Sequence, residues 1–270
     1  MWGERMFGAI IGDIVGSIYE WNNIKTVDFP LFDARSRFTD DTVMTLAVAD
    51  GLMNGYGSES ASEKEIVKAM QKFGRMYPHA GYGGNFTKWI QSDDPKPYNS
   101  YGNGSAMRVS AVAWLFDSLA QVEDYACISA RVTHDHPEGI KGATATAAAI
   151  FLARAGKPKD AIKVYIEKTY GYDLGRKLDD IRPGYTFDVS CQGSVPEAMI
   201  AFLEADGFED AIRKAVSLGG DSDTIAAIAG SIAEGFYGIP EEIKKEAVLR
   251  LDGPLLDVLK RWEEVCGLRI

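Results

Sequence analysis

Apolar residues recur at helical spacing along most of the chain. Ile66, Ala69, Met70, Phe73 and Met76 form one stripe, and Phe208, Ala211, Ile212, Ala215 and Val216 form a second. Ile243, Ala247 and Leu251 form a third. Side chains three and four apart share one helix face, so each stripe predicts an amphipathic helix with one buried side. Start signals stand nearby: Ser62 precedes Glu65 by three, Asp135 precedes Glu138, and Ser194 precedes Glu197 with Pro196 in the first turn. At that offset a capping oxygen and an acidic side chain satisfy free N–H groups at a helix start. Gly156-Lys157-Pro158 and Gly238-Ile239-Pro240 read as stops. The stretch from Gly142 to Ala155 is Ala/Thr-rich and too short to span a bilayer, which predicts a buried core helix. From Gly8 to Ser17 glycines recur every four residues, a smooth helix face where a second helix can approach closely. Strict alternation is scarce; Tyr185-Thr186-Phe187-Asp188-Val189 reads as a short extended piece.

The pattern predicts an all-α fold, one domain over residues 1–270, with no linker or low-complexity tract dividing it. The longest irregular regions are about 22–38, 78–104 and 180–193. Loops that long inside a compact domain usually carry function, so the active face is expected on loops and helix N-termini.

Composition narrows the function. A net charge of −10 argues against a general nucleic-acid or anionic-membrane binder, which needs a basic stripe. It leaves room for a small anionic ligand held by metal and backbone amides. Cys127, Cys191 and Cys266 are widely spaced with no CxxC, which suits a reducing compartment and buried thiols. Glu4 and Asp13 flank the short apolar run near the N-terminus, so it does not read as a secretory signal, and a cytoplasmic protein is expected.

The most informative chemistry is a pair of acidic clusters, Thr39-Asp40-Asp41-Thr42 and Asp221-Ser222-Asp223-Thr224, each opening an apolar helix. Taken singly, each is a helix cap. A helix N-terminus gains about 1 kcal/mol from one capping group or one carboxylate against its dipole. Two carboxylates at each of two ends exceed that need. If the fold joins the two ends, the like charges require a cation. Carboxylate and hydroxyl oxygens are hard ligands, which favours Mg²⁺, Mn²⁺ or Ca²⁺. Adjacent Asp40 and Asp41 can face two neighbouring ions, as can Asp221 and Asp223, while Thr39 and Thr224 add neutral oxygens.

Two Gly-rich loops, Gly81-Tyr82-Gly83-Gly84-Asn85-Phe86 and Ser100-Tyr101-Gly102-Asn103-Gly104-Ser105, lead into helices expected from Thr87 and Ala106. Free N–H groups at such ends hold phosphate, and Tyr82, Phe86 and Tyr101 can stack on a base or cover a sugar. Tight turns need glycine in any case, so each loop alone is weak evidence. Glu20 follows the first helix beside Tyr19 and Trp21; without a metal nearby it reads as solvated surface. Thr133-His134-Asp135-His136-Pro137 lacks the third His or Cys of a zinc site. One histidine there can contact substrate while Asp135 caps the helix from Pro137. His79 receives no role.

Taken in order, GAIIGDIVGS with Tyr19-Glu20, FTDDTVMTLAVADGL, SYGNGSAMRVS, THDHPEG, SVPEA and LGGDSDTIAAIAGSIAEGFYG resemble the ADP-ribosylglycohydrolases, from residue 8 to about 240. The resemblance implies a compact orthogonal helical bundle with a binuclear metal site, two Mg²⁺ or Mn²⁺ ions, at helix N-termini. The ligands it implies are Thr39, Asp40, Asp41, Asp221, Asp223 and Thr224. Glu20 matches a glutamate that approaches the metals in serine-type members and is implicated in catalysis; Glu20 or Asp40 is the expected proton acceptor. Tyr98, Asn99, Ser100, Tyr101, Gly102, Asn103 and Gly104 match the loop that holds the diphosphate and adenosine side of the substrate. His134 matches a substrate-contacting histidine. The implied reaction is hydrolysis of the bond between ADP-ribose and an arginine or serine side chain, on a modified protein or a small conjugate, without nucleic-acid or membrane partners. The Ser100–Gly104 loop looks serine-type and His134–Pro137 arginine-type, which leaves the linkage open. The rival readings are a hydrolase of free ADP-ribose conjugates, a non-catalytic ADP-ribose binder, and a Ca²⁺-stabilised scaffold.

Overall fold

A computed structural model describes residues 5–267. The chain opens with α1 (Phe7–Gly16), then an irregular segment, then α2 (Asp40–Gly55), which turns back as α3 (Glu59–Met76). A short α4 (Gly84–Gln91) is followed by a second irregular segment and the brief α5 (Gly104–Met107) and α6 (Ser110–Leu115). Next come α7 (Leu119–Arg131), α8 (Pro137–Arg154), α9 (Lys159–Tyr170) and the single turn α10 (Leu178–Ile181). The last five are α11 (Cys191–Leu203), α12 (Phe208–Ser217), α13 (Ser222–Tyr237), α14 (Glu241–Val248) and α15 (Gly253–Gly267). The described residues contain no strand; an isolated bridge joins Gly102 to Ser190. The expected all-α class is therefore observed. No helix is long and apolar enough to cross a membrane.

Helix α13 is the axis of the core. It packs against α1, α8, α11 and α12, and every residue from Ser222 to Glu234 is buried. Its tightest neighbour is α1, whose ten residues are all buried. The four-residue glycine spacing explains the contact: a Cβ at Gly8 would lie 2.2 Å from the Gly230 carbonyl oxygen, and one at Gly12 2.1 Å from that of Ala226. At Gly16 a Cβ would meet the Asp223 Cα at 2.4 Å. The glycine face thus seats the end of α1 against the second acidic cluster. Backbone cannot retreat as a flexible side chain can, so Gly12→Ala is expected to cost about 3 kcal/mol of stability, read as a lower urea midpoint.

The predicted stripes face the core except at their ends. Met76 is 46% exposed, and Leu251 is buried but lies beyond the end of α14. The predicted stops hold: Gly156 and Gly238 follow α8 and α13 with φ of +71° each, a conformation glycine adopts without strain. Three predicted starts shift. The cap of α3 is Ser58, which accepts from Ala61 N–H at 3.4 Å; Ser62 is buried inside the helix and donates to the Gly55 carbonyl at 2.9 Å. That bond joins α3 to the end of α2, so Ser62 serves a tertiary contact. Helix α11 is capped by Ser190, which accepts from Gly193 N–H at 3.1 Å, and Pro196 lies in its interior. Ser194 instead donates to the Asp188 carbonyl at 2.8 Å. Helix α8 is capped by His136 Nδ1, which accepts from Glu138 N–H at 3.1 Å. Asp135 reaches the other way and accepts from Asn99 N–H at 2.6 Å. Both helices after the Gly-rich loops begin earlier than expected, at Gly84 and Gly104. Helix α4 has only eight residues, too few for a clear period, yet Phe86, Trp89 and Ile90 are buried.

Candidate active site

The N-termini of α2 and α13 meet. Thr224, in the first turn of α13, donates its hydroxyl to Asp41 Oδ2 at 3.1 Å. Both starts are tied to α1 as well. Asp13, fully buried in the middle of α1, accepts from Thr39 N–H at 2.9 Å, the Thr39 hydroxyl at 2.6 Å and Thr42 N–H at 3.0 Å. The Thr42 hydroxyl makes a fourth bond to it. Four donors on one carboxylate fix the first turn of α2, and Thr39 then accepts from Asp41 N–H at 3.4 Å as its cap.

Carboxylate oxygens of Asp13, Asp41 and Asp223 lie within 4.8 Å of one another, and those of Glu20, Asp221 and Asp223 form a second such group. Asp223 belongs to both. Asp41 Oδ1 is buried with no hydrogen-bond partner. Asp221 is held by the Asn103 amide, which donates to its Oδ2 at 2.6 Å and to Ser194 Oγ at 3.0 Å. Through Asn103 the second Gly-rich loop is anchored to the acidic centre. The first loop also reaches it: a Cβ at Gly81, where φ is +126°, would lie 2.7 Å from Asp40 Oδ1.

The electrostatics follow from this crowding. Burial, reinforced by neighbouring carboxylates, holds Asp41 and Asp223 well above the usual carboxylate range. Burial and the Asp13 charge raise Asp40 to about 8. Glu20 is raised to about 7 by burial and the charge of Asp221. Among the described residues no lysine or arginine forms an ion pair with any of these side chains. A carboxylate group so arranged lacks a counter-charge, and an orphaned buried oxygen points at the gap. Hard divalent cations fit this donor set: all-oxygen, acidic and preorganised.

These groups line one wall of a cavity of about 350 Å³, enough for a small ligand. Of the expected substrate loop, Tyr98, Ser100, Gly102, Asn103 and Gly104 line the same cavity with His134. Asn99 and Tyr101 do not. Asn99 takes φ of +54° and its N–H is bound by Asp135, while Tyr101 is 53% exposed and packs on His136. Thr39 also lies behind the wall, its hydroxyl turned to Asp13. Gly83, Gly84 and Phe86 from the first loop reach the cavity; Tyr82 packs on Phe86 instead.

Two residues of the site escaped the reading of the sequence. Asp13 carried a signal, an acid inside an apolar glycine-striped helix with no basic residue a turn away. Arg108, fully buried beneath the cavity, follows the Gly102–Met107 run and has no acidic neighbour in sequence. Phe187 and Val189, from the piece read as extended, also line the cavity.

The family model of the ADP-ribosylglycohydrolases matches residues 5–266. ADP-ribosylhydrolase ARH3 of Mus musculus is 28% identical over 87% of this chain and 83% of its own length. ADP-ribosylarginine hydrolase Tri1 of Pseudomonas putida is 27% identical over 97% of this chain and 80% of its own. A solved structure described as an ADP-ribosylglycohydrolase-related protein complex shares the fold with a TM-score of 0.68, covering 99% of this chain and 98% of that one, at 23% identity. The match in fold runs through both acidic helix starts and the loops around them, and the chain belongs to the ADP-ribosylglycohydrolase family.

Proposed function

We propose that the protein hydrolyses the glycosidic bond between ADP-ribose and an arginine or serine side chain, with two Mg²⁺ or Mn²⁺ ions at the acidic centre. The observation that carries this is the pair of carboxylate groups sharing Asp223 in one cavity with the Gly102–Gly104 loop. Asp41, Asp221 and Asp223, with Asp40 and the threonines Thr39 and Thr224, are the proposed ligands. When bound, the ions supply Lewis acidity toward the ribose hydroxyls and lower the pKa of water in the site.

The chain's own groups supply the rest. Bonds to an anomeric carbon break through an oxocarbenium-like state, and the aspartates favour positive charge developing beside them. Water forms the new bond at that carbon, the bond to the acceptor breaks, and the water's proton goes to a carboxylate before reaching the leaving group. Glu20 is placed for that transfer, half-buried at the cavity edge with a pKa raised to about 7. With cations bound beside it, Glu20 would have that pKa lowered and stay ready to accept at neutral pH. Asp40 is the second candidate. Asn103 holds Asp221 in orientation through its side-chain amide. Cysteines 127, 191 and 266, all present as thiols, support the cytoplasm as the place of action.

The test is ADP-ribose release, followed by mass spectrometry, from arginine- and serine-ADP-ribosylated peptides. Release from one peptide is expected with Mg²⁺ or Mn²⁺ and should fall by about 100-fold in EDTA, the worth of a few kcal/mol of metal-dependent stabilisation. Absence of release from both, in protein shown to carry its metals, overturns the reading in favour of free conjugates or of binding alone.

A further inference from the structure

Among the described residues Arg108 has no carboxylate partner, although its side chain is among the largest that are fully buried. It donates from one terminal nitrogen to the Ser129 carbonyl at 3.0 Å and to Thr133 Oγ1 at 2.8 Å, while its Nε is buried without a partner. Thr133 Oγ1 is in turn 2.7 Å from His134 Nδ1. Thr133 is fully buried, and His134 is nearly so.

The proton positions in this row follow from donor and acceptor counts. A guanidinium only donates, so Thr133 Oγ1 accepts from Arg108. The hydroxyl has one proton, and among the described residues its one acceptor is His134 Nδ1. If Nδ1 carried a proton, the Thr133 hydroxyl would be left as a buried donor without an acceptor, at a cost of about 1–3 kcal/mol. Nδ1 is therefore the acceptor and Nε2 carries the hydrogen. That nitrogen faces the loop: a Cβ at Gly104 would lie 3.2 Å from Nε2 and one at Gly102 3.5 Å. The glycines keep the space before it open.

We infer that Arg108 and Thr133 are positioning residues that lock His134 as a neutral Nε2–H donor for an anionic oxygen of the ligand, with Arg108 supplying the buried positive charge behind it. The inference rests on the proposed function for the ligand's identity, a diphosphate, but not for the tautomer. The surroundings agree. The groups that face the ring are Arg108, Tyr98 at 6.0 Å between ring centroids, and the Gly102–Gly104 backbone. Asp135, next in sequence, is turned toward Asn99, and Cys191 bonds the Gly102 carbonyl, so no anion stands against the ring to charge it. Burial and the Arg108 charge hold His134 well below the usual histidine range. A histidine so placed donates a hydrogen bond and does not exchange protons with substrate.

The experiment is nitrogen NMR of ¹⁵N-histidine-labelled, metal-loaded protein, with the His134 signals identified by their loss in His134→Asn. The wild type should show the neutral Nε2–H form from pH 6 to 8 without titration. Thr133→Val removes the hydroxyl at constant volume; it should mix or invert the tautomers and weaken ADP-ribose binding about tenfold by calorimetry, and Thr133→Ser should restore both. An Nδ1–H or imidazolium form in the wild type overturns the inference without any variant. So does a Thr133→Val protein with unchanged nitrogen signals and affinity. If the wild type shows the locked form but ADP-ribose does not bind, the proposed function fails and the tautomer assignment stands.

Discussion

Asp223→Asn is expected to lower turnover by at least about 1,000-fold while leaving the protein folded. Asp223 is the one carboxylate common to both acidic groups, so its loss weakens both proposed cation positions together. Loss of a ligand removes charge stabilisation of several kcal/mol, and each 1.4 kcal/mol is a factor of ten. Asparagine keeps the volume and removes one buried charge, so the variant without metal should be at least as stable as the wild type without metal. For each ion the wild type should gain about 2.7 kcal/mol at Mg²⁺ a hundredfold above its dissociation constant, which is about 5–10 °C in Tm per ion for a chain of this size. Asp223→Asn should lose most of that gain. Elemental analysis with a Mg²⁺ melting series checks both halves, and full activity in metal-free Asp223→Asn would sink the mechanism.

The crowded carboxylates also make stability depend on pH. Asp40 is raised to about 8 and Glu20 to about 7, against unfolded values near 4. Folded protein then holds protons that the unfolded chain has released. Their contribution to stability is fully present below about pH 4 and is lost as pH rises through 7 and 8. In EDTA the protein should therefore lose stability from pH 5 to 8. The Mg²⁺ gain should be larger at pH 8 than at pH 6, because cations replace the lost protons.

Glu20→Gln is the second large effect and separates chemistry from metal holding. Glu20 stands near Asp221 and Asp223 but follows the end of α1, half-buried at the cavity edge. Glutamine keeps a carbonyl oxygen of similar reach and cannot accept a proton at neutral pH. Turnover should fall by about 100- to 1,000-fold, in the range of general-base losses, with metal content close to wild type. A wild-type rate would remove Glu20 from the reaction. A parallel loss of metal would make it a ligand first.

The chain already showed both acidic clusters, the Gly-rich loops and the glycine face of α1, because each is a local composition that few structural roles require. Stops were also legible, since Gly156 and Gly238 sit where a helix must take positive φ. Starts were not. Ser62, Ser194 and Asp135 have the chemistry of caps, yet each gives its polar atom to a neighbouring segment, and Ser58, Ser190 and His136 cap the helices. A hydroxyl has the same local sequence signal whichever partner it finds. Arg108 was illegible for a related reason: its meaning lies in which donors and acceptors surround it.

By itself, then, the sequence determined the helical class, the close-packing face of α1 and the hard-ligand character of the site, all of which depend on residue type and spacing. Tertiary structure alone decided that the two acidic helix starts meet, that Asp13 clamps one of them, and that Asn103 ties the loop to Asp221. Those outcomes depend on contacts between segments 26 to 183 residues apart. No local pattern encodes which polar atoms such contacts will leave paired and which, like Asp41 Oδ1, they leave waiting for a cation.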